Sequence, residues 1–128
     1  MNRKQLEKHI AKTYDVYPDY PWEDHPDFAV FRHKDNKKWF ALVMNISKEK
    51  LGLQSNDCID VVNLKCDPII AGSLRMEQGF FSAYHMNKTN WITASLNGDI
   101  PNEKLIALVD MSFAATEDKK AYNKKQKG

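Results

Sequence analysis

Phe28-Ala29-Val30-Phe31-Arg32 and Trp39-Phe40-Ala41-Leu42-Val43-Met44 are two apolar runs on either side of a polar turn that contains Asp35-Asn36. Aromatic and β-branched residues flanking turn formers predict a β-hairpin. The second run is apolar on both parities, which predicts a central strand covered on both faces for part of its length. The turn itself is basic: Lys34, Lys37 and Lys38, with Arg32 and His33 beside it.

Two further strands follow. In the run from Ile59 to Lys65, Val62 and Leu64 share a face with Cys66, while Asn63 and Lys65 alternate with them, so the opposite face turns polar near that strand's end. In Trp91-Ile92-Thr93-Ala94-Ser95-Leu96, the residues Ile92, Ala94 and Leu96 fall on one face and Trp91, Thr93 and Ser95 on the other. This parity predicts that Trp91 points away from the core and is displayed beside Lys88 and Asn90. Phe80-Phe81 reads either as a strand or as an anchor beneath a loop.

Helices bracket these strands. Residues 2–14 carry Leu6, Ile10 and Tyr14 at helical spacing. Asp67-Pro68 has the form of an N-cap and first helical position, and predicts a short helix over 68–76 with Gly79 at its exit. A last helix starts at Pro101-Asn102 with Asn102 as its cap, presents Leu105, Leu108, Val109 and Phe113, and ends after Thr116. Between the first helix and the hairpin, three prolines make residues 17–26 an extended connector, whose aromatics read as anchors over the core or, alternatively, as a ligand groove. The order of elements predicts an α+β fold: an antiparallel β-sheet with the N- and C-terminal helices packed on one face.

The 128 residues, 42% hydrophobic and 11% aromatic, suit one domain over 1–116 and a lysine-rich tail over 117–128. No apolar run approaches the ~20 residues that span a bilayer. The charged start is unlike a signal sequence. A cytoplasmic protein with no membrane partner is expected. Cys58 and Cys66 read as small buried thiols, and His9, His25, His33 and His85 show no pair at metal-ligand spacing. There is no glycine-rich phosphate loop and no nucleophile elbow, and Glu23-Asp24-His25 reads as a solvated loop. The expectation is a non-enzymatic protein without a cofactor.

Nineteen basic against 17 acidic side chains give a net charge of +2, which does not by itself announce nucleic-acid binding. The distribution is more telling. Tyr84-His85-Met86-Asn87-Lys88-Thr89-Asn90-Trp91 concentrates hydrogen-bonding groups, a cation, an imidazole and two amphipathic aromatics. One reading is structural: Asn87 and Asn90 satisfy a turn, with Tyr84 and Met86 packed beneath it. The other is recognition. Paired with the basic turn, this loop forms a second wing, in which Lys34, Lys37, Lys38 and Lys88 meet phosphates, Asn87 and Asn90 hydrogen-bond, and Tyr84, His85 and Trp91 pack or stack. Two alternatives stand beside it. One is a protein-interaction module or homodimer that uses the Trp91 face. The other is a small-metabolite pocket between residues 15–27 and 79–91, lined by Tyr20, Trp22, His85 and Asn87.

Several stretches together resemble the MmcQ/YjbR family over about residues 1–116. They are Tyr17-Pro18-Asp19-Tyr20-Pro21-Trp22, Lys38-Trp39-Phe40-Ala41, Asn63-Leu64-Lys65-Cys66-Asp67-Pro68, Gly79-Phe80-Phe81, Ala83-Tyr84-His85-Met86-Asn87-Lys88 with Trp91, and Asp110-Met111-Ser112-Phe113. The resemblance implies a CyaY/frataxin-like α+β fold and DNA binding through a "double wing", with wings at 34–38 and 84–90. Many relatives carry His at the position of Asn90, and Ser82 replaces a proline common in that loop. Frataxin-like iron binding is not implied, because the first helix carries Lys4, Lys8 and Lys12 and lacks an acidic ridge.

Overall fold

The computed structural model describes residues 1–117, so the lysine-rich tail expected over 117–128 lies, from residue 118 onward, outside the described residues. The chain opens with α1, Arg3–Tyr14, held at its start by a reciprocal cap: Gln5 N donates to Asn2 Oδ1 and Asn2 N donates to Gln5 Oε1, both at 2.9 Å. The strands are β1 (Ala29–Arg32), β2 (Trp39–Ser47), β3 (Cys58–Lys65), β4 (Phe80–Ser82) and β5 (Trp91–Ser95), with a 3-10 turn over Lys48–Leu51. The other helices are α2 (Pro68–Leu74) and α3 (Asn102–Ala115). All pairings are antiparallel, in the order β1-β2-β3-β5-β4. Among the described residues no helix is long and apolar enough to cross a membrane.

The sheet has two apolar faces. One buries Phe31, Val43, Val62, Leu64 and Ile92 against Leu6 and Ile10 of α1, Leu74 of α2 and Leu105 and Val109 of α3. This is the expected core with terminal helices on one side. The other face, built from Phe28, Val30, Leu42, Met44, Ile46, Ile59 and Val61, has no α-helix over it among the described residues. Trp22, Tyr84 and Met86 from loops and Leu51 from the 3-10 turn pack there together with Trp39 of β2. The β2 run is apolar on both parities because both sides of the strand are roofed.

A β-bulge sits where the hairpin meets α3. Phe31 pairs with Ala41 but Arg32 pairs with Trp39, so Phe40 is the extra residue. Released from strict alternation, Phe40 turns into the helix-side core and packs edge-on against Tyr14 and Phe113. Tyr14 also stacks on Phe113, with centroids 4.3 Å apart, and its hydroxyl donates to Asp110. Beyond Ala41 and Leu64 the β2–β3 ladder opens, and Ser112 of α3 fills the gap. Its buried hydroxyl accepts from Lys65 N at 2.9 Å and donates to Phe40 O at 2.5 Å.

Several sequence expectations are corrected. Trp91 is not displayed: it is only 9% exposed, and every residue of β5 is buried. Parity correctly put it on the face away from the helices, but β5 is an interior strand and that face is covered as well. A partner surface built on an exposed Trp91 is thereby removed. Asn102 is the first helical residue and not the cap, because extended Pro101 (ψ 139°) takes the cap position without a side-chain acceptor. Cys58, at the start of β3, is exposed, while Cys66 is buried and its thiol pKa is raised by that burial. Of the connector's aromatics only Trp22 anchors it; Tyr17 and Tyr20 are exposed.

The helix expected over 68–76 ends at Leu74 with Arg75 as its cap, so Gly79 is not its exit but the turn residue before β4. Its φ is +91°, and a Cβ there would lie 2.7 Å from Ile100 Cγ1. Phe80-Phe81 is a strand, paired with Ala94 and Thr93. Replacing Ser112 with alanine strands Lys65 N–H and Phe40 C=O in a dry site, so Ser112→Ala is expected to cost about 1–3 kcal/mol in urea unfolding. A neutral result would show that water or a backbone shift closes the gap.

Candidate functional site

The strand registers bring both expected wings to one end of the sheet. Arg32 opposite Trp39, Lys65 opposite Trp91 and Ser82 opposite Ile92 all mark that end. From there the two loops diverge.

The 33–38 turn is built by its own polar groups. His33 N donates to Lys38 O at 3.0 Å, Lys37 N to His33 O at 3.1 Å, and Lys38 N to Asn36 Oδ1 at 2.8 Å. Lys37 occupies the left-handed region with φ 62°. Lys34, Lys37 and Lys38 are all exposed. Lys34 Nζ lies 2.6 Å from Asp15 Oδ2, and its hydrogen bond and charge hold that carboxyl below the usual range.

The same turn clasps the end of α3. Asn36 Nδ2 donates to Thr116 O at 2.9 Å, and His33 Nε2 lies 2.7 Å from Thr116 Oγ1. The Thr116 hydroxyl donates to Ser112 O at 2.8 Å, so the proton between His33 and Thr116 belongs to the imidazole nitrogen. Burial pushes the His33 pKa below its ordinary 6.5 and outweighs the opposing pull of Asp35 and Glu117.

The first part of the second loop does not project: Tyr84 and Met86 pack on the helix-free face, and a closed ring of hydrogen bonds fastens Tyr84, while Asn87, Lys88 and Thr89 are exposed. Thr93 Oγ1 donates to Asn63 Oδ1 at 2.5 Å, Asn63 Nδ2 to Tyr84 O at 2.6 Å, and Tyr84 N to Thr93 Oγ1 at 3.1 Å. Asn63 and Thr93 are fully buried cross-strand partners. Farther along, Asn87 Oδ1 accepts from Thr89 N (2.8 Å) and Asn90 N (3.3 Å), and Asn90 O accepts from Cys66 N (2.9 Å). Asn87 therefore performs the turn-forming role. Lys88 is exposed, and Asn90 is half-buried. Of the expected site residues, Lys34, Lys37 and Lys38 share one turn, Tyr84, His85, Asn87, Lys88 and Asn90 share the folded loop, and Trp91 lies within the sheet.

Where this loop meets the connector there is an open cleft of about 650 Å³. Trp22 stands nearly perpendicular to Trp39 (88°, centroids 5.6 Å apart) and to Phe28 (78°, 5.8 Å). His25 stacks on Phe28 at 4.4 Å, and the His85 ring lies 6.4 Å from Phe28. His85 reaches this wall from a left-handed backbone, φ 65°, uncommon for a residue other than glycine. The cleft has the location expected for a pocket between connector and loop, and it includes Trp22 and His85. Tyr20 and Asn87 do not line it; Glu23, Asp24, Phe28, Trp39 and Met86 do. The tripeptide Glu23-Asp24-His25 is exposed, as expected of a solvated loop, but it forms the rim of a cavity. The sequence offered a pocket between these two segments but did not place this tripeptide on its rim.

Comparison with known proteins places these features in context. The family model described as YjbR matches residues 11–115. The Bacillus subtilis (strain 168) protein YyaQ is 41% identical over 117 residues, which covers 91% of this chain and 99% of that one. A crystal structure of a Pseudomonas syringae protein superposes with a TM-score of 0.89 at 48% identity, over 91% of this chain and 100% of that chain. A solution NMR structure from the same organism gives 0.83 at 47% identity, over 93% and 95%. A Deinococcus radiodurans crystal structure, at 23% identity and a TM-score of 0.66 over 88% and 78%, shares the fold.

Two outcomes follow from the geometry. Asn63→Leu removes the donor to Tyr84 O and the acceptor of the Thr93 hydroxyl, so roughly 2 kcal/mol of stability should be lost. Amide exchange at residues 83–90 should accelerate more than in α1; uniform acceleration would refute a local clasp. For His33, the unfolded chain regains the ordinary pKa of 6.5 and takes up a proton before the folded chain does. Its stabilising contribution is therefore complete above pH 6.5 and is lost as pH falls from there through the lowered folded value. Urea midpoints of the wild type should drop over that acidic window, and those of His33→Gln should drop less.

Proposed function

The chain belongs to the YjbR family, and from the construction of its basic turn we propose that it is a non-enzymatic DNA-binding domain. The observation that carries this reading is the clasp between Thr116 and the turn residues His33 and Asn36. It brings the end of α3 against Lys34, Lys37 and Lys38, so the chain leaves the described body at the basic turn. Five of the 19 basic side chains and one of the 17 acidic ones fall in residues 118–128, which leaves 14 basic against 16 acidic in residues 1–117. The body alone has no general attraction for a polyanion; within it, Lys34, Lys37 and Lys38 are three exposed cations on one turn.

In this reading Lys37 and Lys38 contact phosphates directly, and Lys34 joins them by exchanging its Asp15 partner for phosphate oxygens. Lys88, exposed on the folded loop, adds a further cation, and the exposed Asn87 and half-buried Asn90 offer hydrogen bonds beside it. Tyr84 and His85 supply the aromatic part of that surface. Trp91 supports the loop from within the sheet and is not a stacking face.

Fluorescence anisotropy with a labelled duplex tests this. Binding by the full chain should weaken linearly in log–log form with salt, and Lys37→Ala/Lys38→Ala should reduce the slope by about 1.8, near 0.9 for each phosphate no longer neutralised. Ending the chain after Glu117 should weaken binding at least about tenfold at low salt, because the tail's lysines no longer neutralise phosphates. Absence of binding by the full chain even at low ionic strength would remove the proposal.

A further inference from the structure

The cleft between the connector and the 83–90 loop has chemistry opposite to that of the basic turn, and we infer that it binds a small organic cation bearing a methylated or quaternary ammonium group. The lining of the cleft includes three large aromatic rings, Trp22, Phe28 and Trp39. Trp22 is perpendicular to Trp39 and close to perpendicular to Phe28, so ring faces and edges converge on one space. The negative face of an indole attracts a cation, and a methylated ammonium loses little hydration on entering such a cage. Phe28 is buried and Trp22 and Trp39 are half-buried, so the cage is part of the packed second core.

The charges at the rim select the same ligand. Glu23 and Asp24 line the cleft, and no lysine or arginine does. Among the described residues neither carboxylate forms an ion pair, whereas the nearby Asp15, Asp19 and Asp27 are paired with Lys34, Arg32 and Arg3. Two uncommitted carboxylates beside an aromatic cage repel phosphates and carboxylates and attract ammonium groups. Met86, polarisable and unbranched, closes the cleft on the loop side. At about 650 Å³ the space accommodates a ligand considerably larger than the ammonium head alone, so a substituent of several heavy atoms fits with it. Arg32 shows that the Trp39 ring already serves this purpose within the chain, since its guanidinium carbon lies 5.3 Å from the ring centroid. Arg32 is itself held by Asp19 at 2.7 Å and does not line the cleft.

Isothermal titration of the full chain with choline, and with its uncharged carbon isostere 3,3-dimethylbutan-1-ol, decides the matter. Choline should bind saturably and at least about tenfold more tightly than the isostere, the size expected for a partly desolvated cation–π interaction that the isostere cannot make. Glu23→Gln/Asp24→Asn changes only exposed rim groups and should weaken choline several-fold while leaving the isostere unchanged. Trp39→Leu should abolish choline binding. Because that ring also packs in the core, the rim variant and the isostere carry the test if Trp39→Leu fails to fold. Equal binding of choline and the isostere, or no saturable binding of either, would overturn the inference.

Discussion

Asn63 and Thr93 face one another across β3 and β5, and their side chains tie the 83–90 loop to the middle of the sheet. A buried amide without partners would cost several kcal/mol, and here it is acceptable only because the ring through Tyr84 satisfies it. Once that ring is closed, Tyr84 and Met86 have a fixed place on the helix-free face, and His85 is forced into its left-handed backbone beside Phe28. The cleft wall, the roof of the second core and the burial of β5 all depend on this polar cluster. An apolar pair at 63 and 93 would make the sheet greasier yet leave the loop without an address.

The opposite side of the molecule is organised by polar groups of α3 working along one edge. Ser112 completes the β2–β3 ladder where the bulge at Phe40 opens it, and one turn later Thr116 bonds to His33. Thr116 also returns a hydrogen bond to Ser112 O, so the last turn of α3 has its carbonyls capped by its own side chain as it docks. The basic turn is thus rigid for reasons unrelated to its lysines. His33 is buried, Asn36 reaches Thr116, and the charged side chains are what remains pointing outward. A rigid turn that presents cations binds phosphate without first having to be ordered, which lowers the entropic cost of binding.

The helix-side half of the fold was legible because it obeys simple periodicities. Leu6 and Ile10, then Leu105, Leu108 and Val109, mark their helices at 3.6-residue spacing, and Val62 with Leu64 and Ile92 with Ala94 mark their strands at spacing two. The other half was not, because it is roofed by irregular segments that have no period. Strand parity told which way Trp91 points, but whether a loop lies over that face depends on the hydrogen bonds of Asn63, which in sequence is one of three polar residues, with Asp60 and Lys65, in β3. The same holds for the candidate sites. The lysines at 34, 37 and 38 were visible as a charge cluster in a turn. The aromatic cleft joins residues 21–28, 39–42 and 85–86, and no local pattern relates them.

The proposed DNA surface and the inferred ammonium site would draw on opposite charges of the molecule. Screening at physiological salt limits each charge's reach to about 8 Å, so a ligand responds to the side chains it touches and little else. A phosphate backbone following Lys37 and Lys38 meets no reward at Glu23 and Asp24. An ammonium ligand at the cleft gains nothing from the lysines. Arg32 sits between the two: its charge is matched by Asp19, and its guanidinium carbon lies 5.3 Å from the Trp39 ring centroid. The two sites are built differently: the basic turn joins β1 to β2 and is clasped by the end of α3, while the cleft is walled largely by loop residues over the other face.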